Sequence, residues 1–153
     1  MNENGLDDLA NEFFREFARY EYCLKRVGLR KESRTAGACW KSYAAEVRDV
    51  IDNATGEVED SISYFKENPP RKQVVENGDL EWSDQLPDHD NDSELILLLI
   101  CRVRNNLFHG GKFNGWWFEP ERSEDLIRHA LLFLRACKES HSRVREAYEG
   151  KAL

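Results

Sequence analysis

A charge-free stretch in the second half of the chain limits the possible folds more than any other feature. Residues 95–101 read LILLLIC, and a segment that is apolar on every side belongs inside a domain rather than on its surface. The residues that follow it are polar or titratable: Arg102, Arg104, Asn105, Asn106 and His109. Gly110 and Gly111 then favour an end to the helix. The stretch predicts a central helix over about residues 92–109 with a polar cluster at its C-terminal end.

Helical periodicity accounts for most of the remaining chain. Apolar residues spaced three and four apart predict four further helices, over about residues 6–27, 38–53, 57–66 and 120–148. Pro69 and Pro70 stop the third of these, and Pro120 suits the first turn of the last. Because the second half of the last helix is polar, we expect it to project beyond the bundle. The pattern predicts an all-α, up-down bundle of four to five helices.

One segment, about residues 72–84, has the composition of a β-hairpin rather than a helix. β-formers flank Asn77-Gly78, the pair that best tolerates the positive φ angles of a tight type I′ turn. An isolated two-stranded hairpin is marginally stable, so we expect Val75 and Trp82 to pack on the helices. Residues 1–153 therefore form a single helical domain with a small hairpin insertion.

Length and composition narrow the class of protein. The 153 residues suffice for one core, and no apolar run approaches the roughly 20 residues needed to span a bilayer. The acidic N-terminus lacks signal-peptide character, so we expect a cytoplasmic protein. A net charge of -7 argues against non-specific coating of nucleic acid, but it leaves room for a local basic pocket. The four cysteines are far apart in sequence, which favours buried free thiols over a zinc site or disulfides: Cys23, Cys39, Cys101 and Cys137.

Several smaller features each allow two interpretations. Residues 29–34 are a basic link, either a solvated loop or a strip that contacts phosphates. Asp88, Asp90 and Asp92 resemble a calcium loop, but the glycine and distal glutamate of an EF-hand are missing, which favours a loop that caps the next helix. The remaining histidines lack a partner at metal-ligand spacing and are expected to be ordinary surface or core-edge residues: His89, His129 and His141.

The segment RNNLFH, residues 104–109, resembles the arginine, polar residue, three residues, histidine signature of the HEPN superfamily. The apolar helix before it and the helix-rich flanks strengthen the resemblance. HEPN proteins are all-α bundles, and many are metal-independent ribonucleases that act as dimers, often as toxins or defence effectors. The resemblance implies that Arg104 binds the scissile phosphate, that His109 transfers protons and that Asn105 orients one of them. It implies RNA as substrate, a homodimer, and neither a metal nor an organic cofactor.

Helix geometry selects a different arginine from the one in the motif. At about 100° per residue, Arg104 and His109 are about 140° apart, whereas Arg102 and His109 are nearly aligned with Asn105 between them. Both arginines therefore remain candidates, with Arg102 and Asn106 assigned to substrate binding. Lys112 would add positive charge there. The aromatic residues of the connector at 113–118 would either plug the bundle end or a dimer interface, or stack on an RNA base.

Two other functions fit the same residues. A HEPN-like dimer without cleavage would be a binding module that pairs with a nucleotidyltransferase-type protein or another partner, and a toxin would have a cognate antitoxin. A purely structural cluster would instead pair Arg104 with a buried Asp or Glu, and the loss of that arginine would then cost folding stability.

Overall fold

The computed structural model describes residues 3–109, 112–113, 116–117 and 119–151, with the backbone alone for residues 3, 109, 112, 113, 116 and 117. This part of the chain holds seven helices: α1 Glu3–Arg26, α2 Trp40–Glu46, α3 Arg48–Asp52, α4 Gly56–Glu67, α5 Asp92–His109, α6 Pro120–Ser140 and α7 Ser142–Tyr148. It also holds two antiparallel strand pairs, β1 Lys72–Glu76 with β2 Asp79–Ser83 and β3 Lys112–Phe113 with β4 Trp116–Trp117. The predicted helical bundle with a small hairpin is confirmed.

The first helix buries one continuous face. Its predicted apolar residues are all buried: Leu9, Phe13, Phe17, Tyr20 and Leu24. It ends in a Schellman motif, in which Leu29 N donates to Leu24 O at 2.9 Å and Gly28 N donates to Lys25 O at 3.3 Å. Gly28 has φ of +93°, a conformation that glycine adopts without steric cost.

The central helix, α5, has the predicted bounds. Asn91 Oδ1 accepts a hydrogen bond from Glu94 N at 2.9 Å, so the polar loop does cap this helix. Leu97 and Ile100 are completely buried, as the charge-free stretch predicted. The helix contacts α1, α2, α3, α4 and α6 as well as β1. It is the element against which the others pack.

Two predicted helices are broken in the structure, which is why five predicted helices become seven. The 38–53 helix breaks at Val47 (φ −115°, ψ 22°), a fully buried residue that caps both α2 and α3. The break lets both short helices follow the surface of α5.

The 120–148 helix breaks at His141, whose backbone is extended and whose Nδ1 accepts from Val144 N at 3.2 Å. The expected projection of its second half is wrong. The turn at His141 directs α7 back onto α1, and Val144 is fully buried there.

The hairpin has the predicted turn but not the predicted packing. Asn77 and Gly78 both have positive φ angles, 52° and 81°, as a type I′ turn requires. Val75 pairs directly with Leu80, and both side chains are about 70% exposed, at 73% and 70%. Trp82 is 44% exposed. The expectation that Val75 and Trp82 pack on the bundle is therefore wrong, because the hairpin is attached by polar bonds at its base and its tip points into solvent.

The thiol prediction is confirmed in part. All four cysteines are free, but only Cys23 and Cys137 are fully buried, whereas Cys39 and Cys101 are half-buried. Among the helices in the described ranges, none has the length and apolar character needed to cross a membrane.

Candidate functional site at the C-terminal end of α5

The motif arginine, Arg104, lies on the side of α5 that faces α1. Its guanidinium group stands over the rings of Phe108 and Phe17, with the Cζ atom 5.3 Å and 5.9 Å from the ring centroids. Its Nη1 donates to Asn105 Oδ1 at 3.1 Å. Within the described ranges, no carboxylate forms an ion pair with Arg104, so the buried acidic partner that a purely structural cluster would need is not found there.

Arg102 and Asn106 hold the hairpin insertion on α5. Arg102 Nη1 donates to Gln85 O at 2.9 Å and to Pro70 O at 3.3 Å, the two ends of the insertion. Asn106 Nδ2 donates to Arg71 O at 2.7 Å. Burial lowers the pKa of the Arg102 guanidinium, because desolvation disfavours the charged form. Both side chains, predicted to bind substrate, therefore also have a structural role.

A cleft of about 370 Å³ opens between α5 and the insertion. It is lined by Lys72, Gln73, Pro87, Leu98, Cys101, Arg102, Asn105 and Asn106. Its α5 wall is one helical face, since Leu98, Cys101, Arg102 and Asn105 recur at three- and four-residue steps. This is the face that helix geometry selected in the sequence, and Arg104 lies beside it rather than on it.

Charge near the cleft is read from the thiol at its floor. Burial raises the pKa of Cys101 to about 12, and the carboxylate of Glu21 raises it further. The cations Arg104 and Lys31 lower it. Both cations therefore lie close enough to act on a group inside the cleft, although neither lines it.

The two remaining predicted residues are placed through their backbone alone. His109 is the last residue of α5, two residues C-terminal to the Arg104–Asn105–Asn106 run's neighbour Leu107. Lys112 is the first residue of β3. The side chains of both lie outside the described part of the chain, as do those of the aromatic connector at 113–118.

The other sequence candidates have ordinary partners. His129 Nδ1 lies 2.8 Å from Ser61 Oγ, and its ring stacks on Tyr64 at 4.4 Å between centroids. His141 Nε2 lies 3.0 Å from Glu46 Oε1. His89 Nδ1 lies 2.8 Å from Pro87 O.

The aspartates of the calcium-like loop point to different lysines rather than to a common centre. Asp90 pairs with Lys41 at 2.9 Å and Asp92 pairs with Lys66 at 2.7 Å. Across the described residues, no three His, Cys, Asp or Glu side chains are grouped as metal ligands would be.

The basic link at 29–34 forms a closed loop. Lys31 N donates to Gly37 O at 2.8 Å, Cys39 N donates to Leu29 O at 2.9 Å, and Arg30 bridges to Ala38. These bonds fix the base of the loop and leave Lys31 and Arg34 exposed. The structure thus combines both interpretations of this segment, a solvated loop that carries cations near the cleft.

Sequence reasoning missed the contribution of the insertion to the site. Lys72 and Gln73 on β1, and Pro87 in the loop after β2, form the wall opposite α5. The hairpin pattern revealed the insertion, but nothing in the sequence indicated which residues of α5 it would contact.

Comparison of the chain with protein-family models, with curated proteins and with solved structures finds no match.

Proposed function

We propose that the chain is a metal-independent endoribonuclease of HEPN type, with an Arg/His site at the cleft of a homodimer. The observation that carries the proposal is the state of Arg104. Its guanidinium is partly exposed, it is hydrogen-bonded to Asn105, and no carboxylate in the described ranges neutralises it. An unneutralised arginine at a helix end beside an open cleft suits a phosphate, which it binds through parallel N–H donors.

The proposed reaction uses the nucleophile that RNA supplies. The His109 side chain of one protomer removes the proton of the 2′-hydroxyl, and the 2′-oxygen attacks the adjacent phosphorus. The bond from phosphorus to the 5′-oxygen breaks, and the second copy of His109 protonates that oxygen. The products are a 2′,3′-cyclic phosphate and a 5′-hydroxyl. Arg104 offsets charge on the phosphoryl oxygens in the transition state.

Asn105 has a positioning role in this scheme. Its Oδ1 accepts from Arg104 Nη1, which leaves its Nδ2 free of that bond to donate toward the phosphate or His109. The assignment to a toxin or defence role, with a cognate antitoxin, rests on the motif resemblance alone.

The test is cleavage of single-stranded RNA by the purified protein, with and without EDTA, beside His109→Ala. We expect EDTA-resistant cleavage that is lost in His109→Ala. His89→Ala is the matched control, since it removes an exposed histidine from the loop before α5. Cleavage retained by His109→Ala, or wild-type cleavage abolished by EDTA, would overturn the proposal.

A second candidate function is a non-catalytic dimeric binding module that pairs with a nucleotidyltransferase-type or other protein. The exposed apolar face of the hairpin favours it, since Val75, Leu80 and Trp82 lie on one side of the β1–β2 pair and are all exposed. Residues 71–92 also carry two basic and seven acidic side chains, a net -5. The module predicts no RNA cleavage by wild type or His109→Ala, with unchanged stability and partner binding in the variant.

A further inference from the structure

The cleft between α5 and the hairpin insertion has a charge opposite to that of the chain as a whole. The protein carries a net charge of -7, yet the described residues that line the cleft include two cations, Lys72 and Arg102, and no carboxylate. Lys31 and Arg104 add positive potential nearby, opposed by Glu21. A local positive cleft on an acidic protein selects for an anionic ligand and orients its approach.

The uncharged part of the lining indicates what else the ligand contains. Leu98, Cys101 and Pro87 give the cleft an apolar floor, and Gln73 and Asn105 place side-chain amides at its edge. Amides form paired hydrogen bonds with the edges of nucleobases, while apolar surface accepts the faces of the rings. A volume of about 370 Å³ lies at the small end of the range for ligand sites.

We propose that this cleft binds one nucleotide of single-stranded RNA, with its phosphate toward Lys72 and its base over the apolar floor, hydrogen-bonded by Gln73 and Asn105. The inference deepens the proposed ribonuclease function and takes its substrate class from it. It assigns the hairpin insertion, to which no function had been given, as the element that recognises the nucleotide next to the scissile phosphate.

The attachment of the insertion supports this assignment. Arg102 and Asn106 fix three backbone carbonyls at the base of the insertion, those of Pro70, Arg71 and Gln85. Lys72 follows these anchored residues directly, so its position and that of Gln73 are set relative to α5. Fixed side chains lose less entropy on binding than mobile ones. The apolar tip of the hairpin needs no packing partner for this role.

The experiment is an NMR titration of the full ¹⁵N-labelled chain with AMP, whose adenine offers the N6/N7 edge that an Asn or Gln amide pairs with. Inorganic phosphate serves as the control for anion binding alone. We expect AMP to bind more tightly than phosphate and to shift the side-chain amide signals of Gln73 and Asn105. Gln73→Ala should weaken AMP binding about five- to tenfold, the loss of one or two hydrogen bonds. Val75→Ala, an exposed residue on the same strand, should leave it unchanged.

Three outcomes would overturn the inference: AMP that binds no better than phosphate, shifts that avoid the cleft residues, or unchanged AMP binding in Gln73→Ala. The binding readout is independent of RNA cleavage. A protein that cleaves RNA but fails this titration would retain the proposed function and lose the nucleotide pocket. A protein that passes it without cleaving RNA would retain the pocket and lose the nuclease.

Discussion

The two halves of α5 differ in what surrounds them. From Ile96 to Ile100 the helix is enclosed by other helices, and Leu97 and Leu99 have no exposed surface. From Cys101 onward, the buried residue Val103 is flanked by side chains that reach a cleft, a backbone carbonyl or solvent. One helix therefore anchors the fold with its first half and presents polar groups with its second.

The difference shows how a stable scaffold positions an exposed site. The apolar half can be satisfied only by packing, because its side chains offer no hydrogen bonds. The polar half gains a neighbour in the insertion, which is held through Arg102 and Asn106 rather than through its own apolar side chains. Changes in the first half should consequently alter stability, and changes in the second half should alter function or local order.

The largest stability effect is expected in the enclosed half. Ile100→Ala removes a fully buried side chain and leaves a cavity, so the free energy of unfolding should fall by about 2–5 kcal/mol. Urea denaturation measures it. The matched control is Val75→Ala in the exposed hairpin, which should change stability by no more than about 0.5 kcal/mol. Equal losses in the two variants would contradict the division between packed helix and solvated insertion.

A smaller, local effect is expected from Arg102→Ala. It removes the donor to Gln85 O and Pro70 O, so the insertion should detach while the bundle remains folded. We expect a global loss of about 1–2 kcal/mol and faster hydrogen exchange at the amides of residues 72–83. Arg15→Ala, an exposed arginine on α1, is the control. Exchange that is unchanged across the hairpin would show that other contacts hold the insertion.

The smallest effect concerns thiol reactivity at the boundary between the halves. The Ser42 hydroxyl lowers the pKa of Cys39, whereas burial raises the pKa of Cys101 to about 12. A lower pKa gives more reactive thiolate at a given pH, so at pH 8 Cys39 should react with iodoacetamide more than tenfold faster than Cys101. Raising the pH to 9 should speed Cys39 and leave Cys101 slow. Peptide mass spectrometry measures both rates, and comparable rates would contradict an apolar cleft floor.

The helices were predictable from the sequence because their signals are local. The bounds of α5 follow from the charge-free run and from Asn91 as its cap, and Asn77-Gly78 predicts the hairpin turn. The breaks at Val47 and His141 were not predictable. Each depends on packing of the following short helix against a distant element, which periodicity does not encode.

The site was predictable only along α5 itself. Helix geometry placed Arg102 and Asn105 on one face, and the structure brings both to the cleft. The opposite wall, with Lys72 and Gln73, depends on hydrogen bonds between residues more than 30 positions apart in sequence, such as Asn106 to Arg71. No local pattern specifies such a pairing.

The most direct test of the account is Arg104→Ala, with RNA cleavage and urea stability measured on the same preparation. We predict that cleavage falls at least about 100-fold, because the phosphate loses its arginine, and that stability changes by less than about 1 kcal/mol, since only contacts with Phe17, Phe108 and Asn105 are lost. Arg104→Lys keeps the charge without the guanidinium fork and should restore little of the activity. Cleavage at the wild-type rate, or a stability loss above about 2 kcal/mol, would contradict a functional role for the polar half of α5.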